Sequence, residues 1–121
     1  MAAPNLVSPT TINGKTVGAA LTTSSADILT NSAGSGKVLK VNAIYISNID
    51  GTTSAEVTVT FYDSSAVVSY KLASTIVVPA DATLVVVDKD AYVYLEEGDK
   101  IAALASANGD LEIVISYEDI S

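Results

Sequence analysis

The side chains able to do chemistry in this sequence are almost all carboxylates. It holds 14 Asp and Glu against six Lys, and no His, Cys, Arg, Trp or Gln. A Ser or Thr nucleophile therefore lacks an imidazole to take its proton, and an oxyanion or phosphoryl clamp would rest on Lys and backbone N–H groups alone. What remains is a carboxylate pair of the kind that cleaves glycosides. Asp88 with Asp90, Glu96 with Glu97, and Glu118 with Asp119 are the candidates. The two carboxyls of a glycosidase, however, face each other across a cleft lined by aromatic or Arg side chains. A sandwich of this length offers little cleft, and these acids fall where turns and strand ends carry solvated charge. The chain reads as a non-enzyme with no catalytic residue and no cofactor.

Binding chemistry is similarly restricted. Asn48 with Asp50, or Asp88 with Asp90, could offer oxygens to Ca²⁺, but neither matches the spacing of a Ca²⁺ loop, and Lys89 sits between the second pair. Turn chemistry accounts for both, so no metal site is expected. Tyr92 and Tyr94 lie two apart and share one strand face. They suit a protein interface, where Tyr buries a large area while its hydroxyl finds a partner, and less well a sugar platform. The net charge is −8 with a pI near 4.1. Nucleic acid and acidic membrane surfaces would be repelled by that field.

The elements that must position these residues are strands. The chain has 121 residues, enough for one core. Val, Ile and Thr are frequent, and such branched side chains pack well on a pleated surface. Without Cys, stability must come from packing, and the redox compartment is not legible. No run approaches the ~20 apolar residues of a membrane helix. Residues 1–9 lack the features of a signal peptide, so a mature start near Met1 and synthesis inside a cell are expected.

Residues 1–13 carry Pro4 and Pro9 and read as an extended N-terminal arm able to reach a neighbour, with residues 14–121 as the domain. Asn13-Gly14 reads as a turn before a strand over 15–23, in which Val17, Ala19 and Leu21 alternate with polar or small residues. Further runs cover 26–30, 37–49, 55–62, 67–78, 83–88, 92–95, 100–107 and 111–120. In 37–49, Leu39, Val41, Ala43 and Tyr45 could share one face, with Ile44 and Ile46 on the other. In 55–62, Ala55, Val57, Val59 and Phe61 point inward. Residues 84–87 are apolar throughout, as in a strand covered on both faces in a core or at a subunit contact. Asn108-Gly109 predicts a type I′ hairpin turn between the last two strands. The fold class expected is all-β: an antiparallel β-sandwich of about eight strands, jelly-roll-like.

Three stretches together have a familiar look: Lys37 through Asn48 with the Thr/Val-rich 51–60, the Gly98-Asp99 turn with its Ala/Ser strand to Ala107, and the closing strand with Ile115-Ser116-Tyr117-Glu118. This pattern resembles the small β-sandwich virion structural proteins of tailed bacteriophages, cyanophages among them, over residues 37–120. The resemblance implies a non-enzymatic capsid decoration (cement) protein, or a tail, neck or fibre-associated protein with a host-glycan-binding module. It implies localisation to the virion after assembly in the host cytoplasm. Its partners would be the major capsid protein or other virion proteins and copies of itself, a homotrimer being favoured. Leu6 and Val7 in the arm and Tyr92 and Tyr94 at a rim are the expected protein-interface residues.

Overall fold

The computed structural model describes residues 4–121. Among these residues nine strands form two antiparallel sheets: β1 Ile12–Ala20, β2 Ala26–Thr30, β3 Val38–Asn48, β4 Ala55–Asp63, β5 Val68–Val78, β6 Thr83–Val87, β7 Val93–Leu95, β8 Lys100–Ala105 and β9 Leu111–Ile120. One short 3-10 turn, Lys89–Ala91, interrupts them. The first sheet runs β1-β9-β3-β6, with β7 pairing the other end of the same β3 edge, and the second runs β2-β8-β4-β5. The strands therefore pair in nested fashion, β1 with β9, β2 with β8, β3 with β6 and β7, and β4 with β5. That nesting is the jelly-roll arrangement, with β6 and β7 sharing one of its eight positions.

Between the sheets lies one aliphatic core. Leu21, Val41, Ile44, Ile46, Val57, Val59, Leu95, Ile101, Leu111, Ile113 and Ile115 are all buried. The alternation expected in β4 holds, with Ala55, Val57 and Val59 buried and Phe61 packed against them. In β3 it is broken. A bulge between Val41 and Ala43 shifts the register with β9, so Leu39 and Val41 face the core before the bulge and Ile44 and Ile46 after it. Tyr45 is therefore on the outside, opposite to the face expected for it.

Three other expectations are corrected. Asn13 and Gly14 do not turn; they lie within β1, paired with Asp119 and Glu118, so the first strand starts two residues inside the segment assigned to the arm. Thr11 and Ser121 extend that ladder, each donating its N–H to the other's carbonyl at 2.9 and 2.8 Å. Asn108-Gly109 is not a hairpin turn, because β8 and β9 belong to different sheets. Only Gly109 there has positive φ, at 80°, and the link crosses the core's end, tied by Gly109 N–H to the Leu21 carbonyl and by Thr23 N–H to Asn108 Oδ1. Residues 84–87 form an edge strand that the core covers on one face only, with Val87 buried and Val85 exposed, so of the two expected settings the core one does not hold.

Candidate functional site

The register of the five-stranded sheet lines up its outward side chains in rows. Tyr45 of β3 pairs with Val85 of β6 on one side and Val114 of β9 on the other, and Val114 pairs with Gly18 of β1. Alternate residues of each strand share a face, so the four form one row across the sheet. Its side chains are 49% (Val85), 41% (Tyr45) and 38% (Val114) exposed. Beside this row Ala20, Glu112, Ser47 and Thr83 form a smaller, more polar one, with Ser47 and Thr83 hydroxyls 3.3 Å apart. At Gly18 the surface drops into a shallow depression lined by Ala19, Ala20 and Ile113. No single residue of the row is unusual in sequence; only the β3 bulge brings Tyr45 into it.

At the other end of the same face Gly14, Glu118, Lys40 and Tyr94 form a row of their own. The rings of Tyr92 and Tyr94 meet edge to face at 5.4 Å, and Lys40 Nζ lies 4.4 Å from the centre of the Tyr92 ring. Both rings are exposed. The structure thus brings two of the expected interface residues together. Leu6 joins them by lining a cleft with Tyr94. Val7 does not: it is 92% exposed, and its N–H is held by Asn5 Oδ1 at 2.9 Å in a turn closed by Ser8 N–H on the Asn5 carbonyl. The arm is therefore turned, not extended, at this point; Met1 to Ala3 lie outside the described residues.

The acid pairs separate in space or serve turns. Glu118 and Asp119 point to opposite sides of β9: Glu118 accepts from Asn42 Nδ2 at 2.9 Å on the outer face, while buried Asp119 accepts from Lys15 and Lys37 at 3.0 and 3.1 Å. Burial alone would push the Asp119 carboxyl up. Hydrogen bonds from the two ammonium groups and their charges outweigh it, so the group sits below the ordinary carboxylate value, and Lys15 is raised in return, by its hydrogen bond and charge contact with Asp119. Asp88 accepts from Asp90 N–H, capping the 3-10 turn. Asp50 accepts from the hydroxyls and N–H groups of Thr53 and Thr52, which hold its pKa at about 2, and Asn48 clamps the Thr53 and Val78 carbonyls. Asn48, Asp50 and Asp88 thus each spend a side-chain oxygen on the chain's own N–H groups. Glu96 and Glu97 both line the Tyr94 cleft.

Two packed antiparallel sheets with jelly-roll nesting place the chain in the class of antiparallel β-sandwiches. No protein-family model matches it, and no curated protein does. Among solved structures it is similar to a protein from work on Bacillus endospore appendages, described as a novel family of disulfide-linked pili. The TM-score is 0.51 with 16% identity, over 91% of this chain and 87% of that one. At that identity the likeness concerns the fold alone. It supports the β-rich architecture within the expected resemblance and gives no support to a phage decoration family.

Proposed function

We propose that this chain is a non-enzymatic structural subunit that works in many copies on the surface of a larger assembly. The observation that carries this reading is the row Gly18–Val114–Tyr45–Val85, three apolar side chains held side by side on an otherwise complete sandwich. Such a row can be buried against a neighbour, and each ~100 Å² of apolar surface removed from water contributes about 2.5 kcal/mol before association costs. In its finer form the proposal is capsid decoration: the subunit, as a homotrimer, sits on a virion and bridges neighbouring major capsid subunits, with Leu6, Val7, Tyr92 and Tyr94 at the rim of the contact.

Light scattering of the purified protein and co-sedimentation with capsid shells test this reading. The expected result is a stable oligomer that pellets with shells, and a Tyr45→Ser/Val114→Ser variant that stays folded but fails to do so. A stable monomer that binds no particle sinks the proposal. A second reading, a self-assembling appendage fibre, is favoured by the likeness in fold over 91% of the chain. With no Cys, such a fibre could not be held by disulfides. Electron microscopy distinguishes the two, by filaments of pure protein in the one case and decorated shells in the other.

A further inference from the structure

The strands that end the two sheets are not equally closed to further pairing. β2 has five residues, a register shift and the exposed carboxylate of Asp27, and β6 has five residues and a shift beside Tyr45. β5 is bulged twice and carries Lys71 and Thr75, the latter at φ 48°. Short length, charge and bulges are the usual means of keeping an end strand from pairing with another chain. β1 is different: its nine residues follow β9 without a break, and its one charge, Lys15, is spent on Asp119 across the ladder. Among the described residues nothing pairs with its other side. Thr11 and Ser121 exchange both backbone hydrogen bonds, and Leu21 N–H reaches the Leu111 carbonyl at 2.9 Å in the same register. Bonded and unbonded pairs alternate along an antiparallel ladder, so Asn13, Lys15, Val17 and Ala19 bond to β9. The N–H and carbonyl groups of Ile12, Gly14, Thr16, Gly18 and Ala20 therefore point away from it.

We infer that β1 pairs with β1 of a second copy of this chain, antiparallel about a two-fold axis at Thr16, so that the two five-stranded sheets become one. In that register Ile12 stands opposite Ala20, Gly14 opposite Gly18, and Thr16 opposite its own counterpart. Every residue with outward backbone groups then meets another such residue, and each N–H finds a carbonyl. A shift by one residue would set those groups against residues whose bonds go to β9, and a longer shift would leave groups at both ends unmet. The side chains fit the same register. Alternate residues share a face, so these five lie with Gly18 on the outer side. Ile12 is 54% exposed at one end of the edge, and the depression at Gly18 and Ala20 opens at the other. The axis puts Ile12 of each copy beside Ala20 and, on the diagonal, Gly18 of the other. It also sets Thr16 against Thr16, a favourable cross-strand pair. A foreign peptide added to a sheet edge is selected by side-chain pockets along the strand. Between Ile12 and Gly18 this face of the edge offers only Gly14 and Thr16, which suits a strand recognised by its backbone and its symmetry. The pair rests on the edge alone and does not depend on the apolar row meeting a shell.

Analytical ultracentrifugation and amide hydrogen exchange of the full chain test the inference together. A dimer is expected in which the N–H groups of Ile12, Gly14, Thr16, Gly18 and Ala20 gain protection as protein concentration rises, while those of Asn13, Lys15, Val17 and Ala19 are protected throughout. Each copy carries −8, so the pair should tighten as salt is added. Thr16→Pro removes an outward donor but no bond to β9, a placement that an end strand tolerates, and it should weaken dimerisation about tenfold or more. Should that variant fail to fold, Thr16→Lys sets like charges against each other at the axis without altering the β1 backbone, and should have the same effect. A monomer at millimolar concentration, a dimer whose outward amides exchange freely, or folded Thr16 variants that associate like the native chain overturns the inference. So does protection of those amides that appears only on capsid shells, which would make the added strand another protein's. The Tyr45→Ser/Val114→Ser variant should keep this pair while losing the larger oligomer and the shell, so either proposal can fail alone.

Discussion

The outer faces of the two sheets are built on the same core yet carry different chemistry. Across the four-stranded sheet one outward row reads Asp27–Ala102–Thr60–Lys71, and the next Thr30–Lys100–Tyr62–Ser69. Lys100 pairs with Asp27 at 3.2 Å and lies 5.2 Å from the centre of the Tyr62 ring. Those two rows are mostly polar; the exposed apolar side chains of this sheet, Tyr70, Ile76 and Val77 among them, stand on its end strand β5. Across the five-stranded sheet the equivalent central row is Gly18–Val114–Tyr45–Val85, with no charge in it. The edges differ too. β5 is bulged twice against β4, with Thr75 at φ 48°, whereas β1 pairs with β9 over nine residues without a break. Bulges on an end strand discourage pairing with another chain. The centre of one face is thus polar and that of the other apolar, while the four-stranded sheet keeps its exposed apolar side chains on a bulged end strand.

The contrast depends on a core common to both faces, so the largest expected effect comes from breaking that core. Ile113 is fully buried in β9, and Ile113→Ala should cost about 2–5 kcal/mol in urea unfolding through lost burial and the cavity left behind. Both faces should fail together. A smaller loss is expected for Asp119→Ala, which removes the shared acceptor of Lys15 and Lys37 but leaves their half-exposed ammonium groups to water.

The acid limb of stability follows from the same group and from Asp50. Both carboxyls bind their protons more weakly folded than unfolded, so their stabilisation is complete above the unfolded value of 3.8. It is lost as pH falls through the folded values, which for Asp50 is about 2. Melting temperature measured from pH 5 to pH 2 should therefore fall steeply in the native chain. It should fall less in Asp50→Asn; a parallel curve would show that the Thr52 and Thr53 hydrogen bonds do not act on the folded carboxylate.

A smaller effect of opposite sign is expected at the β4–β5 hairpin of the four-stranded sheet. Val67 sits there at φ 54° and 73% exposed, a conformation that a branched side chain resists and glycine accepts. Asp63 Oδ1 organises the loop by accepting from Ser65 and Ala66 N–H groups. Val67→Gly should stabilise the fold by about 1 kcal/mol, since relief of the left-handed strain exceeds the added chain entropy. Destabilisation would mean that Val67 makes a contact worth its strain.

Much of the fold was legible because strand periodicity depends only on neighbours along the chain. Ala55, Val57 and Val59 alternate with polar residues, and their burial follows directly. The misread features need information from across the sheet. Nothing in residues 37–49 marks the bulge opposite β9 that turns Tyr45 outward. Asn108-Gly109 has the composition of a hairpin turn, but the nested pairing sends the two strands to different sheets. The Tyr92 and Tyr94 pair was visible from its two-residue spacing; the cleft beside it was not, because its walls come from the arm, β3 and the turn after β7. The apolar row was hidden for the same reason, its members being spread over residues 18, 45, 85 and 114.

The smallest expected effect on stability gives the sharpest test of the contrast between faces. Val114→Thr and Lys71→Thr place the same small polar side chain on an outward position of each sheet. Neither position is buried, so each change should move unfolding free energy by no more than about 0.5 kcal/mol. Association should separate them. Val114→Thr puts a hydroxyl in the centre of the apolar row, where a contact would have to desolvate it, and should weaken self-association or shell binding in sedimentation experiments. Lys71→Thr removes one charge from a face that already meets water and should leave both unchanged. If the two variants behave alike, the apolar row is ordinary surface, and the contact side of the molecule must be sought at the β1 edge.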